Sequence, residues 1–202
     1  MRIISISTGT IAPLFGIDHP DHRVVNSGIK KEVVSSLDKP ISIKVRTVGL
    51  DGDEQADFSA HGGLEKAIYA YPSEHYPFWN ELLSREVKRV NPISFGFVGE
   101  NLSVAGFSED AVWVGDNWLI GDVELEVVKL REPCFKFNAR MGYKGASKAM
   151  IQSTRSGWYL KVHKGGSIKA GDAIIVQAGR RETSIAQQNH FLLRKESQKD
   201  LF

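Results

Sequence analysis

The sequence predicts a mainly β domain, a barrel or sandwich of short strands with a few peripheral helices. Three observations lead there. Several segments alternate apolar and polar residues with a period of two, and most of them are bounded by Gly, Asp or Pro. The length of 202 residues, with 42% apolar and 25% charged, suits one globular core. No apolar stretch approaches the roughly 18 residues that span a bilayer. The opening MRIISISTGT lacks the apolar core and small-residue cleavage site of a secretory signal, so a cytoplasmic home is expected. A single cysteine, Cys134, excludes an intramolecular disulfide and agrees with a reducing compartment.

RIISIS is the first expected strand. In ISIKV the period places Ile41, Ile43 and Val45 on one face, and in VELEV it places Val123, Leu125 and Val127 there. KAIYAY, AVWVGDNWLI, GWYLKVH and DAIIV complete the set. Gly-Asp pairs at 115–116, 121–122 and 171–172 stand at strand ends. They read as turns, because glycine can take positive φ and aspartate can bond the turning backbone. SEHYPFWNELLSRE reads as a helix capped by Ser73, with Tyr76, Trp79, Leu82 and Leu83 on one stripe and Pro77 tolerated in the first turn. Further helices are expected over GASKAMIQST and SIAQQNHFLLRKE, and Arg180 to Thr183 marks a boundary between a barrel over 1–179 and a short helical tail over 180–202.

The net charge of +2 comes from basic residues scattered along the chain, so little counterion release is available and binding to generic duplex DNA is expected to be weak. No GxSxG elbow, Walker loop or GxGxxG run occurs, which argues against the common hydrolase, nucleoside-triphosphatase and dinucleotide classes. One cysteine with scattered histidines does not supply the paired spacings of a zinc site, and His75 and His163 suit surface or core equally.

Three segments carry chemistry. GLDGDEQADFSAHGGLEKAIYAY concentrates Asp51, Asp53, Glu54, Asp57 and His61 in a glycine-rich loop. Gly62 and Gly63 permit close backbone approach, and with His61 and Lys66 they could bind an oxyanion; a solvated connection is the competing reading. FGFVGENLSV sets Glu100 and Asn101 among apolar residues, where the asparagine could recognise a heterocycle, fix a loop or bond its own turn. In KLREPCFKFNAR, Arg131, Lys136 and Arg140 surround Cys134 and favour thiolate over thiol, although a free cysteine also serves as a small buried apolar filler.

Taken in order, GLDGDEQ, HGG with a following lysine, YPSEHY, FGENLS and PCFKFN resemble the YiiM-like branch of the MOSC family, named for the molybdenum-cofactor sulfurase C-terminal domain. The resemblance covers about Gly49 to Arg140. It implies a β-barrel-like fold of complex topology, related to the β-barrel of pyruvate kinase, and a molybdopterin-type cofactor. It also implies Cys134 as the protein ligand to molybdenum, consistent with soft thiolate donation to a metal that cycles two electrons. Asp53 and His61 fall on motif positions suited to proton relay. Gln55, Gly62, Gly63, Lys66, Asn101, Arg131 and Lys136 are the residues expected to hold the cofactor.

The chain departs from the family pattern in two places. Thr10 follows Gly9 where relatives often carry a basic residue, and the tail to Phe202 leaves room for about one helix, where YiiM-like proteins often carry three. The length also excludes the pyridoxal-phosphate domain of full sulfurases, so that cofactor is not expected. The leading expectation is an oxidoreductase acting on N-hydroxylated compounds such as hydroxylamino bases, with an unidentified electron-donor protein. A molybdopterin or sulfur carrier without turnover, and a metal-free sulfur-transfer site at Cys134, are the competing readings. No membrane or polymeric nucleic-acid partner is expected.

Overall fold

A computed structural model describes residues 1–21, 25–56 and 62–199. In chain order the strands are β1 (Arg2–Thr8), β2 (Ala12–Pro13), β3 (Asn26–Ser27), β4 (Glu32–Ser36), β5 (Ile43–Arg46), β6 (Gly49–Leu50) and β7 (Ile68–Pro72). Helix α1 (Tyr76–Val87) leads to β8 (Leu102–Ala105), β9 (Asn117–Ile120) and β10 (Val123–Leu130). Helices α2 (Phe135–Met141) and α3 (Ala146–Ser153) precede β11 (Trp158–Lys164), β12 (Gly166–Ile168), β13 (Ile175–Gln177) and α4 (Ile185–Lys199).

Eight strands form one sheet in the order β13-β9-β10-β11-β7-β8-β1-β4. β9 and β10 are joined by the two-residue turn Gly121-Asp122. Ile120 lies opposite Val123, and Gly121 takes the positive φ that such a tight hairpin needs. β7 and β8 are parallel, and α1 lies in the crossover that parallel strands require. The sheet curls back on itself ahead of its β13 edge. Ile3 donates to Asp172 O at 3.0 Å and accepts from Gly171 N at 2.9 Å, while Ile174 N reaches Met1 O at 3.1 Å. This closure makes the domain mainly β and barrel-like, as expected from the sequence. A smaller sheet, β12-β5-β6, is hydrogen-bonded separately but contributes Val45, Leu50 and Ile168 to the same core.

Two apolar clusters form inside. The larger fills the barrel with Ile3, Ile6, Trp118, Trp158 and the Val123, Leu125, Val127 face of β10. The smaller lies beneath the helices, where Trp79, Leu82 and Leu83 of α1 meet Phe137, Met141 and Met150.

Several expected boundaries shift. Ile41 stands outside β5, 41% exposed, because its amide is bonded to the Ser35 hydroxyl and not to a strand. In AVWVGDNWLI only Asn117–Ile120 is a strand of the sheet, since Gly115 at φ 83° breaks the extended run. Ser73 does not cap α1; it begins a 3-10 turn, its hydroxyl bonds Glu74, and α1 starts at Tyr76 with Pro77 in its first turn. Helix α2, inside the Cys134 segment, was not anticipated.

Helix α4 follows Ser184 and docks on the barrel. Ser184 Oγ accepts from Gln187 N at 3.1 Å and Gln187 Oε1 accepts from Ser184 N at 2.8 Å, a reciprocal cap. Gln188 Oε1 accepts from Leu130 N, and Asn189 is buried, donating to Thr154 O and Ser156 Oγ. Among the described residues no helix is long and apolar enough to cross a membrane.

Candidate functional site

One cleft gathers most of the residues the sequence singled out. Asp53, Gln55, Lys66, Asn101, Arg131, Cys134 and Lys136 all line it, together with Lys31, Tyr69 and Tyr159. Gly62 and Gly63 are half-buried beside it in sequence but are not among its walls. His61 and Asp57 lie outside the described residues.

The wall formed by the glycine-rich loop is closed on itself. Asp53 Oδ1 accepts from Gly9 N at 2.9 Å and from the Lys31 ammonium, while Oδ2 accepts from Asn101 Nδ2 at 2.9 Å. The Lys31 and Asp53 side chains are only 7% and 5% exposed. Asn101 uses its remaining groups on neighbouring strands. Oδ1 accepts from Tyr69 N at 3.0 Å, and Nδ2 also reaches Ser7 O at 3.3 Å. Gln55 ties the two ends of the loop, donating to Val48 O and Lys66 O and accepting from Gly63 N at 2.9 Å. The Gly63 amide, a candidate anion donor from the sequence, is thereby engaged.

The facing wall is open. Arg131 ends β10's run and is buried at 6% exposure, with its guanidinium 4.5 Å from the Phe137 ring centre and 5.3 Å from that of Tyr69, and one amino group 3.4 Å from Met150 Sδ. Among the described residues no carboxylate comes within ion-pair distance of it. Burial works against its charge, but Tyr69, Tyr159 and Cys134 favour it, and the balance leaves it above the ordinary arginine value. Burial pushes the Tyr159 phenol up, against the opposing pull of Arg131. Cys134 is half-buried and extended, immediately before α2, and its carbonyl accepts from Phe137 N at 2.9 Å and Ser147 Oγ at 3.1 Å. Lys136 reaches Asn26 O at 3.3 Å.

Lys31, Tyr69, Tyr159 and the Ser27–Ile29 stretch were not foreseen as cleft residues. Lys31 sits in no motif, and the tyrosines read as ordinary alternation in strands. Lys31 supplies a cation at the Gly9 end, its ammonium meeting the same Asp53 oxygen as the Gly9 amide.

The described residues contain no cluster of three or more His, Cys, Asp or Glu that could hold a metal alone. Any metal at Cys134 would therefore bring most of its own ligands. The mainly β barrel carries a cleft lined by four cations, Lys31, Lys66, Arg131 and Lys136, and three carboxylates, Asp53, Glu54 and Glu132, with one thiol in its wall. The chain belongs to the MOSC domain family, whose model matches residues 57–175, and it is YiiM-like. The MOSC domain is associated in general with molybdenum-cofactor binding. The uncharacterized protein YflK of Bacillus subtilis is 34% identical over 168 residues, covering 83% of this chain and 71% of YflK. A protein of Gibberella moniliformis described as a reductase is 35% identical over 158 residues, 75% of this chain but only 27% of that protein. The crystal structure of YiiM from Geobacillus stearothermophilus superposes with a TM-score of 0.72 at 29% identity, covering 96% of this chain and 84% of the other.

Proposed function

We propose that this protein binds a molybdopterin-type cofactor by its anionic phosphate and reduces N-hydroxylated compounds, hydroxylamino bases among them. The observation that carries the reading is Arg131, a buried guanidinium that borders the cleft near Cys134 with no carboxylate of the described residues within ion-pair distance. A buried unpaired cation is unfavourable, so an anion from outside the chain completes the site. Lys66 and Lys136 add positive charge in the same cleft. The donor set fits the group: cations for the phosphate, one soft sulfur for the metal, and no competing metal cage.

When bound, the cofactor supplies the electron pair that breaks the N–O bond. Overall, an N-hydroxylamine, two electrons and two protons give the amine and water, with the electrons from an external donor protein. In this reading Arg131 and Lys66 hold the phosphate and Cys134 fixes the metal end. Asp53 positions Lys31 and the loop and does not relay protons, because both of its oxygens are already bonded. The relay part stays with His61. The reductase description of the Gibberella relative supports the redox direction.

Protein made in a host that synthesises molybdopterin should carry molybdenum and, with a low-potential dye as electron source, yield amine from an N-hydroxylated purine. Cys134→Ser should lose most of the metal and all of the turnover, since a hydroxyl is a poor soft-metal ligand. Elemental analysis and chromatography against authentic amine are the measurements. Equal molybdenum in the two proteins would remove Cys134 from the metal, and no amine from loaded protein with several substrates would replace the reductase by a carrier.

A further inference from the structure

Cys134 borders a second cavity. Residues of α2, α3 and α4, with Pro133 and Lys144, border an open groove of about 390 Å³ against it, within the roughly 300–1,000 Å³ of small-molecule sites. Among the described residues Cys134 alone lines both this cavity and the cationic cleft.

The two spaces differ in chemistry. Pro133, Phe135, Ile151 and Leu193 give the second cavity apolar surface, and the amides of Asn138 and Gln152 join two lysines, a serine and a glutamate to make the larger share of its wall polar. Phe135 is 56% exposed, an aromatic face left available at this edge. Asn138 is oriented by its own helix pair, because its Oδ1 accepts from Ser147 N at 2.7 Å at the start of α3. That bond fixes which end of the amide is oxygen and leaves Nδ2 as the free end. Both Nδ2 hydrogens lack an acceptor among the described residues, in a cavity wall that also carries the thiol.

We propose that this second cavity is the substrate subsite for a planar N-hydroxylated heterocycle, and that Asn138 selects it by donating to a ring nitrogen or carbonyl. The inference rests on the reductase reading. A flat ring can lie against the exposed Phe135 edge, and a fixed amide donor in a largely polar wall discriminates between rings that carry an acceptor and rings that do not. The substrate then reaches Cys134 from a side where it does not compete with whatever the cleft cations hold.

Asn138→Asp tests this, because it keeps the oxygen that accepts from Ser147 N and replaces the donor with an acceptor. The binding readout uses cofactor-free protein. The rate of Cys134 alkylation by iodoacetamide, followed by intact mass, should fall several-fold with saturating 6-hydroxylaminopurine in the wild type and not in Asn138→Asp. With loaded enzyme, KM for the purine should rise about tenfold or more at similar kcat. KM for benzamidoxime, whose ring has no acceptor, should change far less, and molybdenum content should stay at the wild-type level. Ile151→Trp, which fills the cavity, should remove the protection by a separate route. Equal protection in wild type and both variants, or equal KM shifts for both substrates, would overturn the subsite. Protection that depends on Asn138 without amine formation would retain the subsite and reject the reductase. Amine formation unaffected by either variant would do the reverse.

Discussion

The loop that carries Asp53 and Gln55 and the segment that carries Arg131 and Cys134 face one cleft, yet they use their polar groups in opposite ways. On the loop side nearly every group is satisfied within the chain: Asp53 by Gly9, Lys31 and Asn101, Gln55 by Val48, Gly63 and Lys66. On the other side a guanidinium is buried with aromatic rings and a thioether for company, and a half-buried thiol opens on two cavities. Residues of one family motif set can therefore divide into those that hold backbone and those that face the cleft without an ionic partner among the described residues. Sequence position does not tell them apart, but hydrogen-bond satisfaction does.

The division makes separable predictions. The largest effect on stability belongs to the loop side. Asp53→Ala strands a buried Lys31 and releases Asn101, so unfolding of the cofactor-free protein in urea should show a loss of about 3–5 kcal/mol. A loss under 1 kcal/mol would erase the distinction. Arg131→Met should behave inversely. It orphans no carboxylate, so the cofactor-free protein should stay within about 1 kcal/mol of the wild type, while affinity for the cofactor falls about 10- to 100-fold. Paired urea titrations and cofactor titrations check both halves.

A subtler effect should come from Glu100, which neighbours Asn101 on the satisfied side. Burial pushes its carboxyl above the ordinary glutamate value of 4.5, against hydrogen bonds from Tyr76, Gly96 and Ser103, and Oε2 has no partner. A raised folded-state value favours the protonated form in the native protein. Its stabilising contribution is thus complete below the unfolded value and is lost as pH rises through the folded value. Urea midpoints should decline over that interval, and Glu100→Gln should flatten the decline. The smallest effect is expected of Lys66→Ala, which removes one charge from the cleft: molybdenum retention should drop while the loaded fraction still turns over. Turnover per bound metal is the quantity to compare.

Much of the architecture was legible because its periods are strong. VELEV and GWYLKVH run in the expected registers, and the stripe of Tyr76, Trp79, Leu82 and Leu83 is buried as its spacing requires. Helix α2 was hidden because only seven residues form it, too few for a helical period to emerge beside the proline and cysteine that precede it. The Ser184–Gln187 cap, by contrast, had a visible S-x-x-Q signature that went unread. Within the site, many of the motif positions converge on one cleft, but Lys31 could not be found. It lies 22 residues from Asp53, and only the folding of β1 against β4 brings its segment alongside.

The presence of two apolar clusters has an evolutionary consequence. Cys134 stands immediately before a short helix whose Phe137 and Met141 pack in the smaller cluster, with Trp79 and Met150, and not in the barrel. A lineage can therefore vary the residues of α2 and α3 around the thiol while the barrel that fixes the cleft is left unaltered. Divergence among descendants of such a scaffold should accumulate around the helical cluster first, with the barrel acting as the slowly changing chassis.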